Sequence, residues 1–219
     1  MDAFMFCNVG YRVLLSNVRG SATFGAEWVR PLADGWGGAD ADDALASVDA
    51  IVKRGLADPA RLYVMGLSYG GYLTQWLIGA TDRFAAAVAE NGVANQVSTW
   101  ANSYFGLHYN RRHGLGDPLT EEGMQRLWNS SPLRQASRIT TPLLILQAEE
   151  DRICPPSDNE QLFTALKVLE REVEYVLYPD EHHELKNYGR PDRRIDRMER
   201  ILAWFDGHRR SDRRRSGRR

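Results

Sequence analysis

Short apolar runs alternate with amphipathic stretches along this chain, and that rhythm restricts its fold more than any other feature. Residues 11–16, 61–66, 84–89, 142–146 and 172–178 are brief runs rich in Val, Leu, Ile, Tyr and Ala. Between them, apolar residues recur at helical spacing, as in residues 40–54 with Leu45, Val48, Ile51 and Val52. Further helical patterns cover residues 72–80, 159–168 and 193–205. Strands that run apolar throughout and alternate with helices are the pattern of a sheet buried on both faces. The expectation is an α/β fold with a mostly parallel sheet of about five strands and helices on both faces.

The chain has 219 residues, enough for one well-filled core, and 43% hydrophobic with 26% charged residues is ordinary globular composition. Residues 1–207 are expected to form that one domain. Residues 208–219 carry seven arginines against Asp212 and nothing apolar to bury. They are expected to be a disordered Arg-rich tail, with no nucleic-acid partner. No apolar run reaches the roughly 20 residues of a membrane helix. Asp2 stands where a signal peptide would be basic. No membrane partner and a cytoplasmic location are therefore expected. Cys7 and Cys154 make neither a disulfide framework nor a metal-ligand spacing. Glycine patterns for nucleotide phosphates are absent, so no cofactor and no metal are expected.

Residues 91–131 interrupt the rhythm between the third and fourth runs. They are rich in aromatic and polar side chains, among them Trp100, Tyr104, Phe105, His108, Tyr109 and Trp128. Long connections of this kind often shape lids and substrate pockets.

The segment with the most chemistry is Gly66-Leu67-Ser68-Tyr69-Gly70, which fits G-x-S-x-G between a strand-like run and a helical one. A serine on a sharp strand-to-helix turn is lifted above the sheet, and small flanking residues relieve the crowding. The following N–H, that of Tyr69, then points where an oxyanion would form. This is the nucleophile elbow of the α/β-hydrolase fold.

A serine hydroxyl needs a base to take its proton. In this fold the order is Ser, then Asp or Glu, then His. His182 and His183 follow the last strand-like run, where the base belongs; His108 and His113 come too early and His208 too late. The acid should follow the preceding run, which offers Glu149, Glu150 and Asp151. Its task is to hold the imidazole tautomer and stabilise the imidazolium. Spacing alone leaves these three open.

Residues 67–72, Leu-Ser-Tyr-Gly-Gly-Tyr, resemble the nucleophile segment of the prolyl oligopeptidase family, in particular its acylaminoacyl-peptidase-like members. Other segments agree in order: residues 17–21, Phe24-Gly25, Trp36-Gly37-Gly38, residues 131–133, 149–155 and 178–184. The resemblance runs from about residue 11 to 205. It implies Asp151 as the acid, four places beyond the His of an H-G-x-x-D segment whose first two places are here Gln147 and Ala148. It also implies His183 as the base, with His182 in a variable place. Ile153 takes a position where family members often carry Arg.

The resemblance implies hydrolysis of short peptides or small acyl substrates through an acyl-enzyme. Such proteins carry a β-propeller and an H-G-G-P strand before the segments matched here. The chain is thus expected to be the hydrolase portion, lacking the amino-terminal strands and the second oxyanion donor. Residues 11–16 are then expected to be an exposed sheet edge, through which copies of the chain could pair as a homo-oligomer. The competing expectation is a catalytically weak or inactive relative acting as an interaction module by strand addition.

Overall fold

The computed structural model describes residues 2–113 and 115–209. Helix α1 (Asp2–Asn8) opens the chain, and the short α2 (Ala26–Val29) precedes α3 (Ala39–Lys53). A β–α alternation follows: β1 (Tyr63–Leu67), α4 (Tyr69–Ala80) and β2 (Ala86–Glu90). The aromatic excursion folds as α5 (Gln96–Asn102), α6 (Gly106–Arg112) and α7 (Glu121–Asn129). The chain then returns to β3 (Leu143–Ala148), α8 (Pro156–Val168) and β4 (Val173–Tyr178), ending with α9 (Leu185–Tyr188) and α10 (Pro191–Gly207).

Among the described residues four strands form one sheet in the order β1-β2-β3-β4, every neighbour parallel. Each carboxyl end therefore opens on the same edge of the sheet. All of β2 and β3 is buried, which is why their sequences run apolar instead of alternating. Side chains still divide by the period of two. Ala87, Ala89, Leu143 and Ile145 face a core with Leu77 and Ile78 of α4 and Leu162 and Leu166 of α8. Ala86, Val88, Leu144 and Leu146 face the other core, with Phe6 of α1 and Met198, Ile201 and Phe205 of α10. Helices thus cover both faces, as expected.

The expected first strand is a correction. Residues 11–16 are not in the sheet, so four strands stand where about five were expected, and the edge on that side is β1, with β4 at the other. A strand exists only with a ladder beside it, and this segment is held by side chains instead. Tyr11 donates its hydroxyl to Asp206 at 2.8 Å, Arg12 reaches the Leu56 carbonyl at 2.6 Å, and the Ser16 hydroxyl meets that of Ser47 at 2.7 Å. Tyr11 packs edge-on against Phe6 and Tyr63.

At the other end, His208 is bound to the end of α10: its ring faces the Trp204 carbonyl at 2.6 Å and Glu172 at 2.9 Å. Residues 210–219, most of the expected tail, lie outside the described residues. Among the described residues no helix is long and apolar enough to cross a membrane.

Candidate active site

The elbow is built by close backbone approach. Ser68, between β1 and α4, holds φ 61° and ψ −118°, a conformation that costs a non-glycine residue about 1–3 kcal/mol. Its N–H donates to the Glu90 carbonyl at 2.9 Å and its carbonyl accepts the Tyr72 N–H at 2.9 Å, so neighbours on both sides hold the strain. A Cβ on Gly66 would stand 2.4 Å from the Gly70 carbonyl, and one on Gly71 2.6 Å from the Glu90 carbonyl oxygen. A Cβ on Gly70 would meet nothing within 4 Å. The expectation that both flanks of the serine must be small is thus met at Gly66 but not at Gly70. Gly71 is the second crowded position.

Tyr69 begins α4, so its N–H has no intrahelical acceptor. Its ring stands edge-on to Trp36 with centroids 5.0 Å apart. Its hydroxyl donates to Asp40 Oδ2 at 2.5 Å, and the same oxygen accepts the Gly37 N–H at 3.1 Å. Burial, and then the negative Asp40, push the Tyr69 phenol far above its ordinary value.

The loop after β3 separates its three carboxylates. Glu149 and Glu150 are exposed, whereas Asp151 is 1% exposed. Asp151 Oδ1 accepts two backbone N–H groups, from Ile153 and Cys154, both at 2.8 Å. That leaves Oδ2 for His183 Nδ1, which lies 2.7 Å away. Of the two histidines in the last loop, His183 is the buried one and His182 is exposed. With Nδ1 facing the carboxylate, Nε2 is the nitrogen left to accept a proton.

Cys154 joins the acid loop to the elbow. Its N–H binds Asp151, and its sulfur lies 4.0 Å from Ser68 Oγ. Burial, and then the negative Asp151, push this thiol well above its ordinary value, so it carries no thiolate character. Gln147, in the family's H-G place, is fully buried and donates to the Cys154 carbonyl at 3.2 Å. Its oxygen accepts from Asn159 at 2.6 Å.

Three more residues of this neighbourhood carried no sequence signal. Asp40 holds Tyr69. Asn91, with φ 42°, bridges the acid strand and the histidine loop. Asp158, fully buried in α8, accepts the hydroxyls of Ser98 and Thr99 and so pins α5 beside the acid loop. Each acts on residues tens of positions away, which no local pattern records. Among the described residues no group of three His, Cys, Asp or Glu side chains is arranged to hold a metal ion.

A strained serine elbow and a buried carboxylate–imidazole pair at the carboxyl edge of a parallel sheet are the parts of an α/β-hydrolase. The profile of the prolyl oligopeptidase family matches residues 1–211. The chain belongs to this family.

Similar proteins include the uncharacterized peptidase YuxL of Bacillus subtilis, 41% identical over 203 residues, covering 91% of this chain and 30% of that protein. The acylamino-acid-releasing enzyme of Arabidopsis thaliana is 34% identical over 208 residues, covering 91% of this chain and 26% of the relative. This chain therefore spans about a quarter to a third of those proteins. Among solved structures, the uncomplexed acylaminoacyl peptidase of Pyrococcus horikoshii superposes with a TM-score of 0.84 at 28% identity. The match covers 88% of this chain and 32% of that one. The fold is that of the hydrolase part of this acylaminoacyl peptidase.

Proposed function

We propose that residues 1–207 are the catalytic domain of a serine peptidase that cleaves short peptides or small acyl substrates through an acyl-enzyme. The observation that carries this reading is the 2.7 Å contact between His183 Nδ1 and the buried Asp151 carboxylate, beside the strained elbow of Ser68. Ser68 Oγ attacks the substrate carbonyl while His183 Nε2 takes its proton. Asp151 keeps the imidazole oriented and stabilises its charged form. The oxyanion receives the Tyr69 N–H. When the carbon–nitrogen bond breaks, His183 returns its proton to the leaving amine; water, activated the same way, then releases the acyl group from Ser68.

The wall next to this centre supports an apolar acyl side. Trp36, Tyr72, Leu115, Leu127 and Cys154 form one buried cluster, with Trp100 and Ile153 packed on it. Similarity to enzymes named for releasing acylamino acids makes N-acylated aminoacyl substrates the first class to try. A basic residue that could grip a substrate carbonyl is absent at position 153, since Ile153 packs into that wall.

The test is labelling by a fluorophosphonate probe in wild type, Ser68→Ala and His183→Ala. Labelling that needs both residues is the expected result; equal labelling of all three would end the triad reading. A second reading, an interaction module, is favoured by the open edge of β1 and by the exposure of Leu15 (80%) and Phe4 (78%). It expects a self-associating protein whose behaviour is indifferent to Ser68→Ala, and a cytoplasmic location suits both readings.

A further inference from the structure

The carboxyl end of β2 touches all three parts of the site, although it contributes none of the reacting groups. The Glu90 carbonyl accepts the Ser68 N–H at 2.9 Å. Its neighbour Asn91 is 2% exposed and sits in the left-handed region at φ 42°, which Asn tolerates better than most residues. The Asn91 backbone N–H continues the ladder onto the Leu146 carbonyl at 2.9 Å. Its side chain divides between two segments. Oδ1 accepts the Ala148 N–H at 2.8 Å, and Nδ2 donates to the His183 carbonyl at 3.0 Å. That orientation is fixed by chemistry, because an N–H can face only the amide oxygen and a carbonyl only the amide nitrogen.

We infer that Asn91 is a positioning residue for His183, holding the histidine loop in register with the strand that leads to Asp151. The other backbone ties between the two segments stop short of the imidazole. Glu149 N–H reaches the Tyr178 carbonyl at 3.0 Å and Glu150 N–H the Glu181 carbonyl at 2.8 Å. Asn91 alone of these contacts grips residue 183 by its backbone. Its other arm is anchored three residues before Asp151, so one side chain ties the backbone of the base to the strand that leads to the acid. A misplacement of about 1 Å at a reacting group can cost about a hundredfold in rate, which makes such a clamp consequential. The left-handed backbone suits the role, since it turns the side chain at the end of β2 towards both loops.

This inference rests on the reading of Ser68, His183 and Asp151 as a triad, and the experiment separates the two. The fluorophosphonate labelling rate is measured for wild type, Asn91→Asp, Asn91→Ser and Ser68→Ala. In parallel, the downfield proton resonance of the imidazole Nδ1–H is recorded and assigned by its loss in His183→Ala. Asn91→Asp keeps the acceptor for Ala148 and removes the donor to His183; Asn91→Ser shortens both arms. The expected result is labelling slowed about 10- to 100-fold in both variants, with a native far-UV spectrum and a shifted or broadened imidazole resonance. Wild-type rates with the resonance in place overturn the inference. So does a slow Asn91→Ser beside a normal Asn91→Asp, which would assign the effect to Ala148. Failure of both variants to fold would make Asn91 a residue of stability alone and overturn it as well. If Ser68→Ala labels like wild type, the triad reading fails by itself, and the resonance still decides whether Asn91 places the imidazole.

Discussion

The hydroxyl of Tyr69 and the carboxylate of Asp40 meet at 2.5 Å across the join of α3 and α4, and Asp40 is 1% exposed. The pair fixes the far tip of the residue whose backbone N–H we propose as the oxyanion donor. Loosening it should blur that N–H without altering substrate contacts. Tyr69→Phe and Asp40→Ala are each expected to lower kcat about 3- to 30-fold with KM within about twofold. The double variant should lose no more than Asp40→Ala alone, because that substitution already removes the contact that Tyr69→Phe removes. Steady-state kinetics on an anilide substrate checks this, and additive losses would show two separate roles.

The elbow glycines are not equivalent. Gly66→Ala and Gly71→Ala press a methyl against backbone and are expected to destabilise by more than about 2 kcal/mol, with loss of labelling. Gly70→Ala enters open space in the first turn of α4, where it should be neutral or stabilising by at most about 1 kcal/mol. Chemical denaturation together with probe labelling distinguishes them.

Burial pushes the Asp158 carboxyl up to about 6, although the Ser98 and Thr99 hydroxyls favour its charged form. In the unfolded chain the group titrates near its ordinary value of about 4. Between those values the folded state binds the extra proton, so this group's contribution to stability falls as pH rises from about 4 to 6 and is level above. Asp158→Asn removes that cost. Its gain over wild type should grow across the window and reach about 1–3 kcal/mol at pH 7. Melts from pH 4.5 to 7 provide the measurement; a gain that does not change with pH would sink the assignment.

Arg197 of α10 is buried with Glu90 and reaches the half-buried Asp2. Its Nη2 lies 2.6 Å from Glu90 Oε1 and 2.8 Å from Asp2 Oδ2, and its Nε faces Glu90 Oε2. Arg197→Met leaves the Glu90 carboxylate buried and unpaired and should cost about 3–5 kcal/mol. The double variant Glu90→Gln with Arg197→Met should recover part of that loss. Denaturation midpoints test the order of the three stabilities.

The parts of this molecule legible in its sequence are those coded by neighbours. The buried strands β2 and β3, the elbow at Ser68 and the acid-bearing loop all follow from runs of a few residues. The choice among Glu149, Glu150 and Asp151 needed either the family pattern or the fold, since it depends on which carboxylate turns inward. Residues 11–16 have strand composition but lack a ladder partner, and pairing is a property of two segments. Asn91, Asp40 and Asp158 were silent because their partners lie 29 to 92 positions away, and a polar contact of that reach leaves no periodicity.

The strand that delivers Ser68 is, with β4, one of the two edge strands of the sheet, supported by β2 on one side only. In hydrogen exchange, β2 and β3 should therefore behave as a slow interior, while the outward amides of β1 trade deuterium through shallow local openings. The backbone leading to the Ser68 hydroxyl thus belongs to the part of the sheet that breathes before its interior, and whatever lies along that edge sets how often it does.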